Sequence, residues 1–432
     1  MLCGLAEAIT IPPMARTEGI NPEILVWARE TAGLSLDEAA EKVGLTSGAK
    51  LSATEKLSQF ELGEKFPTRN QLLRFAATYR RPLVSFYMKD PPPRGERGED
   101  FRLVSGAASP RDNALLDALL RDVRARQEMV RSLLEDEGDT AALTFVGSAR
   151  LEDGVEAVST SIARHIDFDP RARQSQSLDP DQLFHDLRNR VEAAGVFVLL
   201  IGDLGSHHSA ISEDIFRGFV IADKLAPFIV INDHDARSAR SFTLLHELTH
   251  VWLGQSGVSG SVTPTTSESF NSRVERFCND VAAEVLLPSS VFLNVAPVSS
   301  QDDMSAVART VEQISKTWGV SEAMAAYRLF RLGLLPIEIY RDLSAAFAAR
   351  WRAVRQKQKE EAKDNEGGPS YYVVKRFKLG NALVDVVRRT LRDNLLTHTK
   401  AAKVLGVKPS SVERLVRGYE AGQGRLSAET RG

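Results

Sequence analysis

The stretch SFTLLHELTHVWLG, Ser241–Gly254, decides how the middle of this chain is organised. It places His246 and His250 four residues apart, so a helix presents both imidazoles on one face. Glu247 is rotated from His246 by about 100° and lies beside that face. The other positions are mostly apolar, which predicts a buried helix in which polar side chains without partners would be costly. The pattern therefore predicts a helix that holds a metal ion.

A third ligand has to come from elsewhere, because a catalytic zinc site takes three protein ligands and keeps one position open. Glu275 and Asn279 are four residues apart in ESFNSRVERFCND, a stretch with helical character, and would share a face. We predict that Glu275 is the third ligand and that Asn279 hydrogen-bonds a ligand histidine. Glu284, on the same helix, is the alternative ligand. Two imidazoles and a carboxylate suit zinc, and manganese remains open.

Glu247 is the predicted general base of this site. Its carboxylate lies near the ion without being needed as a ligand, so it can take a proton from water. In zinc peptidases the metal lowers the pKa of water toward about 7 and polarises the scissile carbonyl. The motif therefore predicts a zinc-dependent metallo-endopeptidase.

Three short apolar runs precede the motif helix and predict strands: VFVLLIG, FRGFVIAD and APFIVIND. Helical patterns dominate the remaining chain, including the leucine-rich segment 114–137. The predicted fold class is therefore mainly α with a small sheet.

Composition limits the class of protein and its surroundings. The chain has 432 residues, of which 43% are hydrophobic and 26% charged, as in soluble globular proteins. The 55 basic and 57 acidic residues nearly balance, so only local patches can indicate nucleic acid. Two cysteines provide no disulfide framework and favour a cytoplasmic setting. No apolar run approaches the length of a membrane span, so no membrane partner is expected.

Two charged, proline- or glycine-containing stretches look like linkers, KDPPPRGERGED and RQKQKEEAKDNEGGPS. They separate an N-terminal module, a large middle and a short C-terminal module. The predicted parts are an N-terminal helical domain at 20–90, a helical connecting region at 100–175, a metallopeptidase domain at 176–350 and a C-terminal helical domain at 370–425.

The middle of the chain resembles the ImmA/IrrE family of bacterial metallopeptidases. ARSARSFTLLHELTHVWLG, ERFCNDVAAEVLLP and VSEAMAAYRLFRLGL carry the resemblance, which covers about residues 180 to 335. It implies a zincin-like α+β domain in which His246, His250 and Glu275 are ligands. It also implies cleavage of a repressor or antitoxin-type protein, which derepresses genes, often for stress response.

The N-terminal helices resemble a Cro/repressor (XRE) type helix-turn-helix domain, on the stretches LSLDEAAEKVGL and KLSQFELGEKFPTRNQLLRFAATY. In that motif the second helix enters the major groove, which implies DNA as a partner and transcription regulation. The turn is longer than expected and the second helix carries several glutamates, so a domain that docks protein is the alternative. The predicted DNA-contacting residues are Lys50, Ser52, Thr54, Lys56 and Gln59.

The C-terminal stretch LTHTKAAKVLGVKPSSVERLVRG resembles a second helix-turn-helix, with a helical packing unit as the alternative. Taken together, the sequence predicts a metal-dependent endopeptidase and transcriptional regulator. The alternative is a DNA-binding transcription factor or toxin–antitoxin component whose peptidase-like domain senses or scaffolds without proteolysis. Whether the chain forms a homodimer is left open.

Overall fold

A computed structural model describes residues 19–48, 51–92, 109–138, 141–173, 179–205, 209–259, 270–293, 297, 303–361 and 370–417. The structure is mostly helical (66%) with one four-stranded sheet, which confirms the mainly α class with a small sheet. The chain divides into two compact units. The first unit is Met1–Gly98 with Ala107–Leu120, and the second is Glu99–Gly106 with Arg121–Gly432. The finer four-part division stays a prediction.

The first unit is built from short helices with well-defined starts. Ser35, Ser52 and Thr68 each cap a helix, and in each case the residue three positions later returns a side-chain bond to the cap backbone. Its core is apolar and includes Leu25, Leu57 and Phe75. The helices are α1 (Pro22–Thr31), α2 (Leu36–Val43), α3 (Ala53–Glu61), α4 (Arg69–Tyr79) and the beginning of α5 (Pro110–Glu137).

The second unit holds the sheet and the remaining helices. Its helices before and around the sheet are α6 (Val155–His165), α7 (Pro180–Ala193), α8 (Arg240–Leu253) and α9 (Phe270–Leu286). Those that follow are α10 (Met304–Trp318), α11 (Glu322–Arg331), α12 (Ile337–Glu361), α13 (Tyr371–Leu379), α14 (Asn381–Arg392), α15 (His398–Leu405) and α16, described over 409–417. Its strands are β1 (Phe197–Leu200), β2 (Gly218–Ile221), β3 (Phe228–Ile231) and β4 (Gly257–Ser259).

The sheet has the order β1-β3-β2-β4. β1 runs parallel to β3, whereas β2 is antiparallel to both β3 and β4. All residues of β1 and β3 are buried, which explains why these strands read as continuous apolar runs. β1, β2 and β3 fall inside the three predicted apolar runs. β4 lies beyond the motif helix, outside those runs.

Helix α8 is buried on every side. Each residue from Arg240 to Trp252 is buried, and the helix contacts α9, α7, β2 and β3. It ends at Gly254, whose φ of 67° suits the left-handed conformation of a helix terminus. A helix that is apolar around most of its circumference is most stable when it is surrounded by other elements, because any solvated side would expose apolar side chains to water. The sheet and α9 therefore fix the orientation of every α8 side chain.

The C-terminal helices are fastened to α7 by a buried ion pair. Arg188 Nε donates to Glu192 Oε1 over 3.1 Å, and the two side chains are 5% and 4% exposed. Arg188 also donates to the backbone carbonyls of Val198 and Phe377. Glu192 Oε2 in turn accepts the backbone N–H of Asn381 at the start of α14, over 2.9 Å. The pair therefore joins α7, β1 and the α13–α14 junction.

Among the helices of the described residues, none combines the length and the hydropathy that a membrane-spanning helix needs.

We expect Glu192→Ala to lower the free energy of unfolding by about 3 kcal/mol or more, because it leaves the buried Arg188 guanidinium without its carboxylate. Urea denaturation followed by tryptophan fluorescence measures the change. Glu135→Ala is the matched control, since Glu135 pairs with Arg131 on the surface and its loss should cost less than about 1 kcal/mol. Equal effects of the two substitutions would show that the buried pair adds nothing.

Candidate functional site

Three side chains from α8 and α9 converge on one point. Nε2 of His246 and Nε2 of His250 are 3.2 Å apart. Glu275 reaches both imidazoles, with Oε2 3.3 Å from His246 Nε2 and Oε1 3.3 Å from His250 Nε2. The histidine side chains are 5% exposed and that of Glu275 is 30% exposed. The cluster is therefore sealed on the α8 side and open to solvent beside α9.

The dimensions of this cluster fit a tetrahedral metal ion. Ligand atoms about 2.0 to 2.1 Å from a tetrahedral zinc lie about 3.3 to 3.4 Å from one another. The two imidazole nitrogens are 3.2 Å apart, and each lies 3.3 Å from one of the two Glu275 oxygens, which is close to that spacing. Three protein donors also leave the fourth position free. His246, His250 and Glu275 thus form a candidate metal-binding group.

Asn279 orients the first histidine. Its Oδ1 lies 2.8 Å from His246 Nδ1, so it accepts that N–H and leaves Nε2 directed at the cluster. Asn279 stands one helical turn after Glu275 on α9, and both side chains act on the same imidazole. The structure therefore brings the predicted ligand and its predicted neighbour together with the histidine pair.

The Glu247 side chain of α8 packs against strand β2 of the sheet. Glu247 is 0% exposed, and a Cβ placed on Gly218 would lie 2.5 Å from Glu247 Oε1. The backbone of β2 thus approaches the carboxylate more closely than any other residue type would allow. Gly218 is a residue that sequence reasoning missed, because one glycine in an apolar run does not reveal which side chain it faces.

The site concentrates negative charge. Burial by itself would lower the pKa of His246, but the hydrogen bond to Glu275 and its charge outweigh burial and raise that pKa. Burial would raise the pKa of Glu275, yet hydrogen bonds with both imidazoles hold it well below its usual range. The carboxylate is therefore ionised at neutral pH, as a cation ligand has to be.

A second network holds α9 in place. Asp280, next to Asn279, accepts the hydroxyl of Tyr327 over 2.8 Å and the Nε of Arg331 over 2.7 Å. Glu284, the alternative third ligand, forms an ion pair with Arg328 of α11 and accepts the backbone N–H of Ser289. The Glu284 carboxylate thus fastens α9 to α11 and is not part of the metal-binding group.

A second cluster of carboxylate and imidazole groups lies next to a lysine side chain. Asp203, Asp233 and His234 lie close enough together to hold an ion. However, Nζ of Lys378 is 2.5 Å from Asp233 Oδ2. The ammonium group of α13 already lies in this cluster and pairs closely with one of its two carboxylates, which leaves the histidine pair as the better metal site.

The predicted DNA-contacting residues lie on or beside α3, except Lys50, which is outside the described residues. Ser52 is the exposed N-cap of α3. Thr54 donates to Asp37 Oδ1 over 2.6 Å, and Lys56 donates to the carbonyl of Thr46 over 2.5 Å. Gln59 is partly buried. The side chains of Ser52, Thr54 and Lys56 thus all form bonds within the first unit, and contact of these residues with DNA stays a prediction.

Comparison with known proteins supports the metallopeptidase reading. Residues 203–330 match the model of the peptidase M78 family, described as the IrrE N-terminal-like domain. The match contains the motif helix and all of α9, but it covers less than half of the chain. No curated protein and no solved structure matches the chain. The match supports the ImmA/IrrE resemblance for this segment and suggests a metallopeptidase-type domain there. It does not extend to the N-terminal unit.

We expect the protein to bind one zinc ion per chain. The variants His250→Ala and Glu275→Ala should each lose this ion, because either change removes a ligand. Metal content after dialysis, measured by inductively coupled plasma mass spectrometry, checks this. His234→Ala is the control, since His234 belongs to the cluster occupied by Lys378. Full zinc content in the Glu275 variant would rule Glu275 out as a ligand.

We expect Gly218→Ala to lower the free energy of unfolding by about 1 to 3 kcal/mol, because the added methyl group would collide with Glu247 and Thr243. Denaturation of the full chain measures the change. Gly48→Ala is the matched control, since among the described residues a Cβ there meets the flexible end of Lys56 at 3.4 Å and nothing closer. A neutral Gly218 variant would mean that β2 and α8 are free to move apart.

Proposed function

We propose that this protein is a zinc-dependent endopeptidase that cleaves a repressor or antitoxin-type protein and so derepresses genes. The observation that carries the proposal is the convergence of two imidazole nitrogens 3.2 Å apart on the carboxylate of Glu275, whose two oxygens each lie 3.3 Å from one of them. Glu247, the residue after His246, adds a fully buried carboxylate. The family match of residues 203–330 supports the same class of enzyme. Manganese is the alternative metal for this donor set.

The metal and the protein residues would divide the chemistry between them. His246, His250 and Glu275 would hold the ion, which when bound supplies a Lewis acid that polarises the peptide carbonyl and lowers the pKa of water. Glu247 accepts a proton as water attacks the carbonyl carbon. The same carboxyl group then donates that proton to the amide nitrogen as the C–N bond breaks. Asn279 keeps the His246 ring oriented throughout.

The buried position of Glu247 suits this role. A carboxylate buried against the backbone of β2 cannot swing away to solvent, so it would keep one fixed position near the histidine pair. Exclusion of bulk water also strengthens its electrostatic effect on the transferred proton. The solvent-open side of the cluster beside α9 gives a peptide its route to the site.

We infer a regulatory role from the flanking parts of the chain. The resemblance of α2 and α3 to a repressor-type helix-turn-helix supports DNA as a second partner, and a DNA-binding protein that destroys a repressor would act at its own target genes. In the alternative function, the peptidase-like domain senses or scaffolds without proteolysis. Zinc-loaded wild-type protein that shifts the DNA upstream of its gene but cleaves no protein would favour that alternative.

We expect Glu247→Gln to retain one zinc per chain and to lower peptide cleavage by about 100-fold or more, because it removes the proton acceptor. The assay uses zinc-loaded full-length protein and a quenched-fluorescent peptide library of mixed sequence, and then any small repressor encoded beside the gene. Glu135→Gln, on the exposed side of α5, should cleave like the wild type. Cleavage by the Glu247 variant at the wild-type rate would disprove its role as the base.

A further inference from the structure

Basic residues are concentrated in the C-terminal helices. Residues 370–417 contain eleven lysines and arginines but three acidic residues, although the whole chain has a net charge of −2. Residues 19–92, which include the predicted DNA-binding helices, contain ten basic and nine acidic residues. A local excess of positive charge is the electrostatic signature of a nucleic-acid-binding surface. By this measure the C-terminal end fits DNA better than the N-terminal unit.

Several of these cations have roles inside the protein. Lys378 pairs with Asp233, and Arg389 pairs with Glu137 over 2.7 Å. Arg376 donates to the carbonyl of Leu415 over 2.7 Å and so joins α13 to α16. These contacts fix the C-terminal helices to one another and to the rest of the second unit. The cations that make them are therefore used inside the protein.

Three lysines remain at the surface: Lys400, Lys403 and Lys408. All three are exposed, and among the described residues none of their ammonium groups lies within ion-pair distance of a carboxylate. Lys400 and Lys403 are three residues apart on α15, so they share its outer face. Lys408 is the last residue before α16. Their charges are therefore available to an external anion.

The helices that carry these lysines have a defined relative orientation. Gly406 follows α15 with a φ of 61°, which lets the chain turn sharply over 406–408 before α16 begins. Ala402 and Leu405 on one side of the turn and Val412 and Leu415 on the other are buried. A small apolar core thus fixes α15 against α16, as in a helix-turn-helix.

The outer face of α16 carries polar side chains. Ser410 and Arg414 are four residues apart and exposed, so they share a face. The nearby acid, Glu413, is paired with Arg417 over 2.8 Å, and its other carboxylate oxygen lies 3.3 Å from Nε2 of His398. In a helix-turn-helix the first helix crosses the sugar–phosphate backbone and the second presents its N-terminal residues to base edges in the major groove. Here Lys400 and Lys403 stand on the first of the two helices, Lys408 ends the turn, and α16 is the second helix.

We propose that α15 and α16 form a second DNA-binding surface, in which Lys400, Lys403 and Lys408 contact phosphates of double-stranded DNA and α16 enters the major groove. This contact is independent of proteolysis, because none of these residues touches the metal centre. It also differs from the DNA contact proposed for α3. The apolar side chains of α15 and α16 are largely buried, whereas a membrane-binding helix would expose them.

The test uses the full-length protein and a fluorescein-labelled duplex of about 40 base pairs of mixed sequence, with anisotropy titrations between about 50 and 200 mM salt. We expect the triple variant Lys400→Gln, Lys403→Gln, Lys408→Gln to bind more than about tenfold more weakly at about 0.1 M salt. The slope of log K against log salt should shrink by about 2 to 3, since each lost phosphate contact removes about 0.9.

The matched control replaces three exposed cations elsewhere in the second unit, Lys224→Gln, Arg309→Gln and Lys316→Gln. It should keep the wild-type affinity and slope. Circular dichroism melting confirms that both triple variants fold, and Glu247→Gln should bind the duplex like the wild type whether or not the protein is a peptidase. Unchanged affinity and slope in the lysine variant would overturn the proposal, as would equal losses in the control. Lysine-dependent binding to phosphatidylserine vesicles without binding to the duplex would overturn it too.

Discussion

The burial of α8 between the sheet and α9 is the constraint on which the site depends. A helix with one solvated face could turn by several degrees without much cost, but α8 has no such face. Its rotation is therefore set by packing, and packing alone decides that two imidazoles point toward α9 while Glu247 points toward β2. Burial also makes the polar residues expensive, so each has to meet a partner that offsets its lost hydration. The metal-binding geometry is thus a consequence of the core.

The same rule governs the charges that lie outside the metal centre. Asp280 is a buried residue of α9 and is held by Tyr327 and Arg331. Arg188 and Glu192 pair beneath the α13–α14 junction, and Asp233 pairs with Lys378. In each case a carboxylate joins two elements that are far apart in sequence. Ion pairs of this kind contribute little net free energy, but they allow few alternative arrangements of the helices they join.

Much of the fold and of the site could be predicted from the sequence, and the successes share a cause. The strands around Val198, Val220 and Ile229 are apolar runs, and the relation of His246 to His250 follows from helical geometry within five residues. Glu275 and Asn279 were open to prediction because they repeat that spacing on the next helix. Local periodicity carries this information, so no knowledge of the tertiary structure is needed.

Other features depend on contacts between distant segments and leave no periodic signal. β4 is three residues long, too short for an alternating pattern, and it becomes a strand only by pairing with β2. The need for a glycine at position 218 becomes clear only when Glu247 is known to lie against it. The placement of α13 and α14 beside α7 likewise depends on Arg188, which bonds Phe377, and on Glu192, which bonds Asn381, and both partners are 189 residues away. Sequence composition predicts that these helices form a separate module, whereas tertiary contacts join them to the rest of the second unit.

The position of β1 has a consequence for dissecting the protein. The recognisable family segment begins at residue 203, just after β1 ends, yet β1 is the parallel partner of β3 and is covered by α7 and α13. A fragment cut to residues 203–330 would lack β1, so it would expose the hydrogen-bonding edge of β3 together with an apolar surface. Such an edge recruits strands from other molecules and promotes aggregation. The smallest piece that could remain soluble must begin before α7 and must carry the C-terminal helices with it.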